Sequence, residues 1–389
     1  MNYKNAPFGN IPNNWKVEPI KDITTLVTDY VANGSFASLA ENVKYKNEED
    51  VAVLIRLVDY NRDFTGEFVF IDEHAYEFLG KSKLFGGEII ISNVGANVGT
   101  VFRCPYLPYK MSLAPNSIMV KFKECSDFYY YWFKSPYGQH MINSIVTGSA
   151  QPKFNKTNFR DMVVPVPPIK TQEKISCILG SLDDKIKLNN KINNNLEKQA
   201  LAIFDKMFPN ISDGSKCIGD LIVPKRGKNL LSKNAIKGNV PVVAGGLEPA
   251  TYHNVANTVN PVLTISASGA NAGYVNLWNV PVWSSDSSYI DSTMTDNVYF
   301  WYIMLKKRQK EIFDSQTGSA QPHIYPKHIS AMPIANIDQL KIAEYTAVVS
   351  PMFNAIGNNK QENFNLSSLR DALLPKLMSG ELDVSDIDI

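Results

Sequence analysis

The side chains best able to do chemistry in this chain do not fall into a catalytic pattern. Ala75-Tyr76-Glu77-Phe78-Leu79-Gly80-Lys81-Ser82 has the spacing of a phosphate-binding loop. Such a loop needs small residues so that successive backbone N–H groups can wrap a phosphate, and Tyr76, Glu77, Phe78 and Leu79 are bulky. The stretch is expected to be a helical turn ending at Gly80. Methyl transfer to an adenine amine needs a polar residue, two prolines and an aromatic. The only double proline, Pro167-Pro168, stands between Val166 and Ile169. A nuclease-like Pro-Asp followed by Asp/Glu-x-Lys is also missing. His323 and His328 are the closest pair among five histidines, but Pro326 lies between them, so no shared helical face for a metal is expected. Ser149 and Ser319 sit in G-S-A-Q, which is not the G-x-S-x-G of a nucleophile elbow. No catalytic centre, metal site or cofactor site is predicted.

A different chemistry is repeated. Thr147 to Pro152 reads TGSAQP, and Thr317 to Pro322 repeats it letter for letter. Upstream of each lies S-x-x-G-A-N-x-G, at Ser92 to Gly99 and at Ser266 to Gly273. Order and spacing are kept, which marks an internal duplication with a period of about 170 residues. The repeated segments are rich in groups that bind polar edges. Asn, Gln, Arg and Lys can form paired hydrogen bonds with base edges, and Ser and Thr can contact phosphates. The candidates are Ser92, Asn93, Asn97, Gln151 and Lys153 in the first copy. In the second they are Lys225, Arg226, Lys228, Ser266, Ser268, Asn271 and Gln321. For each, an ordinary turn or surface charge is the plain alternative.

These groups need elements to hold them. Short β-branched and aromatic runs alternate with Gly, Pro and Asn turns at Glu88 to Ser92, Val98 to Arg103, Val240 to Ala244, Val262 to Ser266 and Tyr274 to Trp278. Gly95-Ala96-Asn97 and Gly269-Ala270-Asn271 are therefore placed on hairpin-like turns. After each TGSAQP the period changes. From Thr171 to Phe208, apolar residues fall at helical spacing, and Asn189 and Asn193 interrupt the stripe as register-setting residues do in a paired coil. A second helical stretch from about Gln339 to Met378 carries Asn358-Asn359-Lys360 where the first carries Asn189-Asn190-Lys191. Pro351 and Gly357 predict an interruption in it. The fold expected is α+β: two globular α/β modules separated by two long antiparallel helices, with an internal pseudo-twofold duplication. The expected boundaries are 1–160 for the first module, 161–210 for the central helical region, 211–330 for the second module and 331–389 for the distal helical region. Two modules on a rigid spacer suit a bipartite target whose parts are spaced by the DNA helical repeat, about 34 Å per turn.

Composition sets outer bounds. Hydrophobic residues make up 44%, too many for a disordered chain. Lys+Arg number 39 against 38 Asp+Glu, so a uniformly basic nucleic-acid binder is ruled out, though not a DNA reader whose partners supply positive surface. Four scattered cysteines without a C-x-x-C pair fit a reducing, cytoplasmic setting. No apolar run approaches the ~18 residues that span a membrane, and no secretory leader is expected.

With these motifs in order, the chain resembles the specificity subunit of type I restriction–modification systems over essentially its whole length. The resemblance begins at Ile11-Pro12-Asn13-Asn14-Trp15 leading into Ile20 to Ile23, and takes in both S-x-x-G-A-N-x-G turns and both TGSAQP segments. It continues through Pro165-Val166-Pro167-Pro168-Ile169-Lys170-Thr171-Gln172-Glu173-Lys174-Ile175 and closes with Leu374-Pro375-Lys376-Leu377-Met378-Ser379-Gly380-Glu381-Leu382. Pro333 to Ile342 departs from it, lacking the double proline and the Gln-Glu. The resemblance implies a non-catalytic chain with two target recognition domains, each reading one half of a gapped site on double-stranded DNA. It implies assembly with two methyltransferase subunits that modify adenine N6 and with two restriction–translocase subunits, and no membrane partner. S-adenosylmethionine, ATP and Mg²⁺ would belong to those partners. Ile175, Leu182, Ile186, Leu196, Ile356 and Leu369 are then candidates for docking partner helices. The competing expectation is a non-catalytic, protein-binding scaffold built from a duplicated module.

Overall fold

The structure, a computed structural model, describes residues 2–318 and 321–388. They form two compact units, one made of the chain up to Asp184 and from Leu366 onward, the other of Lys185–Asn365. A central helix, Ile169–Met207, and a distal helix, Gln339–Met378, each give one segment to each unit.

In the first unit an antiparallel sheet has the strand order Thr24–Asp29, Ser117–Phe122, Ile89–Ser92, Val101–Arg103. Its inner strand reads Ile-Ile-Ile-Ser and is buried on both faces. Side chains of a strand alternate between faces. Ile89 and Ile91 accordingly pack with an aromatic cluster of Phe128, Trp132 and Phe133, while Ile90 packs with Val53, Phe102 and Met119. The aromatics come from the helix Ser126–Lys134, which continues into Pro136–Ser144. Ser135 makes that junction: its Oγ accepts from Gly138 N and donates to the Trp132 carbonyl, capping one helix and closing the other. A second sheet runs Val69–Ile71, Ala52–Ile55, Lys110–Leu113, Lys83–Leu84, with the middle pair parallel.

The second unit repeats the plan. Its antiparallel sheet is ordered Lys225–Arg226, Ser287–Asp291, Val262–Ser266, Val275–Trp278. Beside it lie Thr251–His253, Val240–Val243 and Trp283–Ser284, a three-stranded sheet whose central strand pairs in parallel with Trp283–Ser284. Leu263 and Ile265 face a core that contains the apolar helix Val298–Lys307.

Within the second unit the two long helices run antiparallel around a polar layer. Asn189, 1% exposed, donates to Glu362 Oε2 at 2.7 Å and to Asn363 Oδ1 at 2.8 Å. Asn359 donates to Asn193 Oδ1, and Asn363 to Asn190 Oδ1, each at 2.8 Å. Of the two asparagines expected to set register, Asn193 thus pairs with Asn359 of the facing helix and Asn189 with Glu362 and Asn363. In the first unit, Arg370 of the distal helix donates to Asp183 Oδ1 of the central one, and Tyr131 donates to Asp183 Oδ2.

The expected interruption at Pro351 and Gly357 does not occur: the distal helix is continuous over 40 residues. An interior proline costs about 3 kcal/mol through its missing N–H and steric clash. Val349, Phe353 and Ile356 are buried around it, and each such burial returns roughly 1.5–3 kcal/mol. Gly357 is a point of close approach rather than a break. A Cβ there would stand 2.6 Å from the Cβ of Asn279, whose amide donates to the Phe353 carbonyl. Gly357→Ala is therefore expected to lower stability by about 1–3 kcal/mol through overpacking, although alanine is the better helix former. Thermal unfolding checks the sign, and a raised midpoint would contradict the packing account.

Candidate nucleic-acid interface

The two repeated sequence segments meet in space, in both units and with the same bonds. In the first unit the turn Ser92–Gly99 joins two antiparallel strands, and its Gly95 N–H donates to the Pro152 carbonyl of the TGSAQP loop. Phe154 N–H donates to the Asn93 carbonyl, and Thr147 and Lys153 exchange backbone hydrogen bonds that close the loop. In the second unit Gly269 N–H donates to the Pro322 carbonyl, Ile324 N–H to the Ala267 carbonyl, and Thr317 and His323 exchange the closing pair. A glutamine from a neighbouring helix completes each clasp. Gln139 Nε2 donates to the Gly99 carbonyl at 3.0 Å, and Gln309 Nε2 to the Gly273 carbonyl at 2.8 Å.

The sequence supports this locally through glycine. Gly148 and Gly318 take φ +89° and +97°. A Cβ would lie 2.8 Å from the Gln151 carbonyl oxygen in one and 2.5 Å from that of Gln321 in the other. Only glycine occupies that left-handed region without strain.

The clasp sorts the candidate residues. Asn97, Gln151, Lys153 and Gln321 are exposed, and Asn271 and Ser268 are half-buried at the turn. Ser92 and Ser266 are strand ends only 2% and 4% exposed, so they support the turns rather than face a ligand. Asn93 is tied into the clasp, its Nδ2 donating to the Phe154 carbonyl. Ser149 is exposed in its loop, while Ser319 lies outside the described residues. Lys225, Arg226 and Lys228 are all exposed on or beside an edge strand.

Around the shared frame the two units differ. In the second, Arg226 Nη2 donates to Asp286 Oδ1 at 2.6 Å, and Ser268 Oγ donates to Asp286 Oδ2. In the first, Asn116, at φ +68°, stands where Asp286 stands, its carbonyl accepting from Asn93 N–H as that of Asp286 accepts from Ala267 N–H. The strand position opposite Ile118, equivalent to Arg226 opposite Ser288, holds Asp29, which accepts from Lys156 Nζ at 2.9 Å. Asp286, Asn116, Asp29, Lys156 and the two glutamines were missed in the sequence reading; the only signal was the matched Gln139 and Gln309, each eight residues before its TGSAQP. Half-exposed ion pairs such as Arg226–Asp286 contribute roughly 0.2–1 kcal/mol, weak enough to rearrange around a ligand.

The first unit also has clefts beside its clasp. One of about 650 Å³ is bordered by Asp29, Phe36, Tyr45, Asn93 and Asn116, and another of about 390 Å³ by Tyr45, Arg56, Ser92 and Asn116. Burial and a hydrogen bond with Tyr45 push the Tyr30 phenol, which borders the larger cleft, above its ordinary pKa.

Elsewhere, Ala75 to Ser82 folds as a helix, Glu73–Phe78, followed by a short turn, with Ala75 and Tyr76 buried. His328 Nδ1 accepts from Tyr325 N–H, and burial holds its pKa below the ordinary value. Among the described residues no three metal-capable side chains cluster, and no helix is long and apolar enough to cross a membrane. On the long helices, Ile175 and Ile356 are buried in the cores of their own units and cannot face a partner. Leu182, Ile186 and Leu196 are half-buried and Leu369 is exposed, as are Leu188 and Ile192.

Residues 12–198 match the family model described as the type I restriction modification DNA specificity domain. The chain is 25% identical over 434 residues to the type I restriction enzyme MjaIX specificity subunit of Methanocaldococcus jannaschii, covering 99% of this chain and 97% of that one. Its fold is similar to a crystal structure of the S subunit of a type I restriction–modification system from M. genitalium. That likeness has a TM-score of 0.57 at 17% identity and covers 96% of this chain and 98% of the other.

The clasp makes a local prediction. Gly148→Ala should open the loop and speed hydrogen exchange at the Thr147 and Lys153 amides, leaving the sheet amides of Ile89 to Ile91 protected. Unchanged exchange at those two amides would show that the clasp does not depend on the left-handed glycine.

Proposed function

We infer that this chain belongs to the family of type I restriction–modification specificity subunits, and on that premise that it reads a bipartite, gapped site on double-stranded DNA. Each unit reads one half-site. The observation that carries this reading is a pair of identical clasps surrounded by unlike polar side chains. A shared frame suits what every duplex has in common, the phosphate backbone, while differing side chains suit different bases. Asn97, Gln151 and Lys153 in the first unit, and Lys225, Lys228, Asn271 and Gln321 in the second, are assigned to the interface.

The chain carries out no reaction itself in this reading. Two methyltransferase subunits bring S-adenosylmethionine and methylate adenine N6, and two restriction–translocase subunits bring ATP and Mg²⁺ and cut unmodified DNA. All act in the cytoplasm. The half-exposed apolar positions Leu182, Ile186, Leu188, Ile192, Leu196 and Leu369 give methyltransferase helices a surface to dock on. A net charge of +1 agrees with partners that supply much of the positive clamp.

A long-read methylome of cells with and without the chain, co-expressed with its methyltransferase, tests the reading. The expected result is a two-part N6-methyladenine motif present only with the chain; soluble, co-purifying proteins that leave no motif would support a protein-binding scaffold instead. The helices are expected to set the gap between half-sites. Inserting one helical turn beside Asn193 and a matching turn beside Asn359 adds about 6 Å, which should widen the gap by roughly two base pairs. A motif with an unaltered gap would refute the spacer role.

A further inference from the structure

The second unit places a donor fork beside a fixed carboxylate at its reading edge. We propose that Arg226 and Asp286 together read one G·C base pair in the half-site of that unit. The inference rests on the DNA-reading function proposed above and names the base pair recognised.

Arg226 lies on the edge strand opposite Ser288, and its Nη2 donates to Asp286 Oδ1 at 2.6 Å. Asp286 is itself held from the turn: its Oδ2 accepts from Ser268 Oγ, and its carbonyl accepts from Ala267 N–H at 3.1 Å. The two side chains are 41% and 33% exposed, so they stay open to a ligand. A guanidinium has five N–H groups, and the Asp286 bond occupies one, leaving donors for a second fork. In the major groove guanine presents two acceptors, O6 and N7, and cytosine presents its N4 amino donor. Arginine matches the first and a carboxylate the second. In the same register an A·T pair offers the guanidinium only N7, beside the competing N6 donor, and sets the thymine O4 acceptor against the carboxylate, so it loses one arginine bond and the Asp286 bond. Asp286 is therefore both a positioning residue for Arg226 and an acceptor in its own right. Exposed Lys225 and Lys228 flank the pair where phosphates would lie. In the first unit the equivalent strand position is Asp29, already engaged by Lys156 Nζ and by Ala32 N–H, and Asn116 replaces Asp286. The dependence should appear in one half-site only.

The test uses the full chain in complex with its methyltransferase and duplexes carrying the methylated motif, each guanine replaced singly by 7-deazaguanine, which lacks the N7 acceptor. At one guanine of one half-site, wild-type binding is expected to weaken about tenfold, and Arg226→Ala should show no further loss there. Asp286→Asn, which keeps the Arg226 fork but offers an amide donor to thymine O4, should narrow the preference for G·C over A·T at that position, and Asp286→Glu should keep more of it. A merely structural Asp286 would weaken all duplexes alike, and that result would overturn its assigned role. The proposal also fails if the half-site altered by Arg226→Ala contains no G·C pair, or if the 7-deazaguanine penalty persists undiminished in that variant. A complex with no sequence preference in either half would instead overturn the DNA-reading function, and this inference with it.

Discussion

In each unit, a loop some fifty residues downstream is fastened to a hairpin turn chiefly by backbone groups, and the placement of the candidate side chains depends on that fastening. Gly95 N–H to the Pro152 carbonyl, and Gly269 N–H to the Pro322 carbonyl, are single hydrogen bonds of modest net worth, roughly 0.5–1.5 kcal/mol each. Their importance is geometric. They fix where Asn97, Gln151 and Lys153, or Asn271 and Gln321, stand relative to the sheet. Because main-chain atoms make the bonds, only positions that need glycine's φ or close approach are constrained. The surrounding side chains can change while the frame persists, and this is how two units of one plan carry an Asp29–Lys156 pair in one place and an Arg226–Asp286 pair in the other.

The helices obey a second constraint. Their end segments are not free rods: Ile175 and Leu179, with Leu377 and Met378, complete the aromatic core of the first unit, and Phe204, Tyr345 and Phe353 complete that of the second. The stretch in between has asparagine at the facing positions. A buried asparagine stabilises less than leucine would, but it pairs only in the register that supplies its partners. Asn189 facing Glu362 and Asn363, together with Asn193 facing Asn359, selects one alignment of two helices whose apolar stripes alone would tolerate a slip.

Charge shows the same economy. A chain of net charge +1 cannot bind polyanions through a general positive field. Its cations are instead local. Lys225, Arg226 and Lys228 crowd one edge strand and the residues after it, with Asp286 placed to orient the arginine rather than to neutralise the edge.

The sequence by itself determined the duplication, the hairpin turns, the register asparagines and the apolar runs that become strands, because each is written in contiguous residues or in a short period. It also predicted helical stretches after each TGSAQP. What only the tertiary structure decided is which of these segments meet. Hydrogen bonds between backbone groups fifty residues apart leave no periodic trace, so the clasp and the Asp286 carboxylate were invisible in the linear chain, and its two glutamines left only their matched spacing before each TGSAQP. Burial was likewise undecidable from spacing. Ser92 and Ser266 read as surface polar residues and Ile175 and Ile356 as outward apolar ones, yet all four lie inside, because neighbours from distant segments cover them. Pro351 and Gly357 read as breaks from local propensity, and packing along one face of the distal helix, through Val349, Phe353 and Ile356, outweighed that propensity.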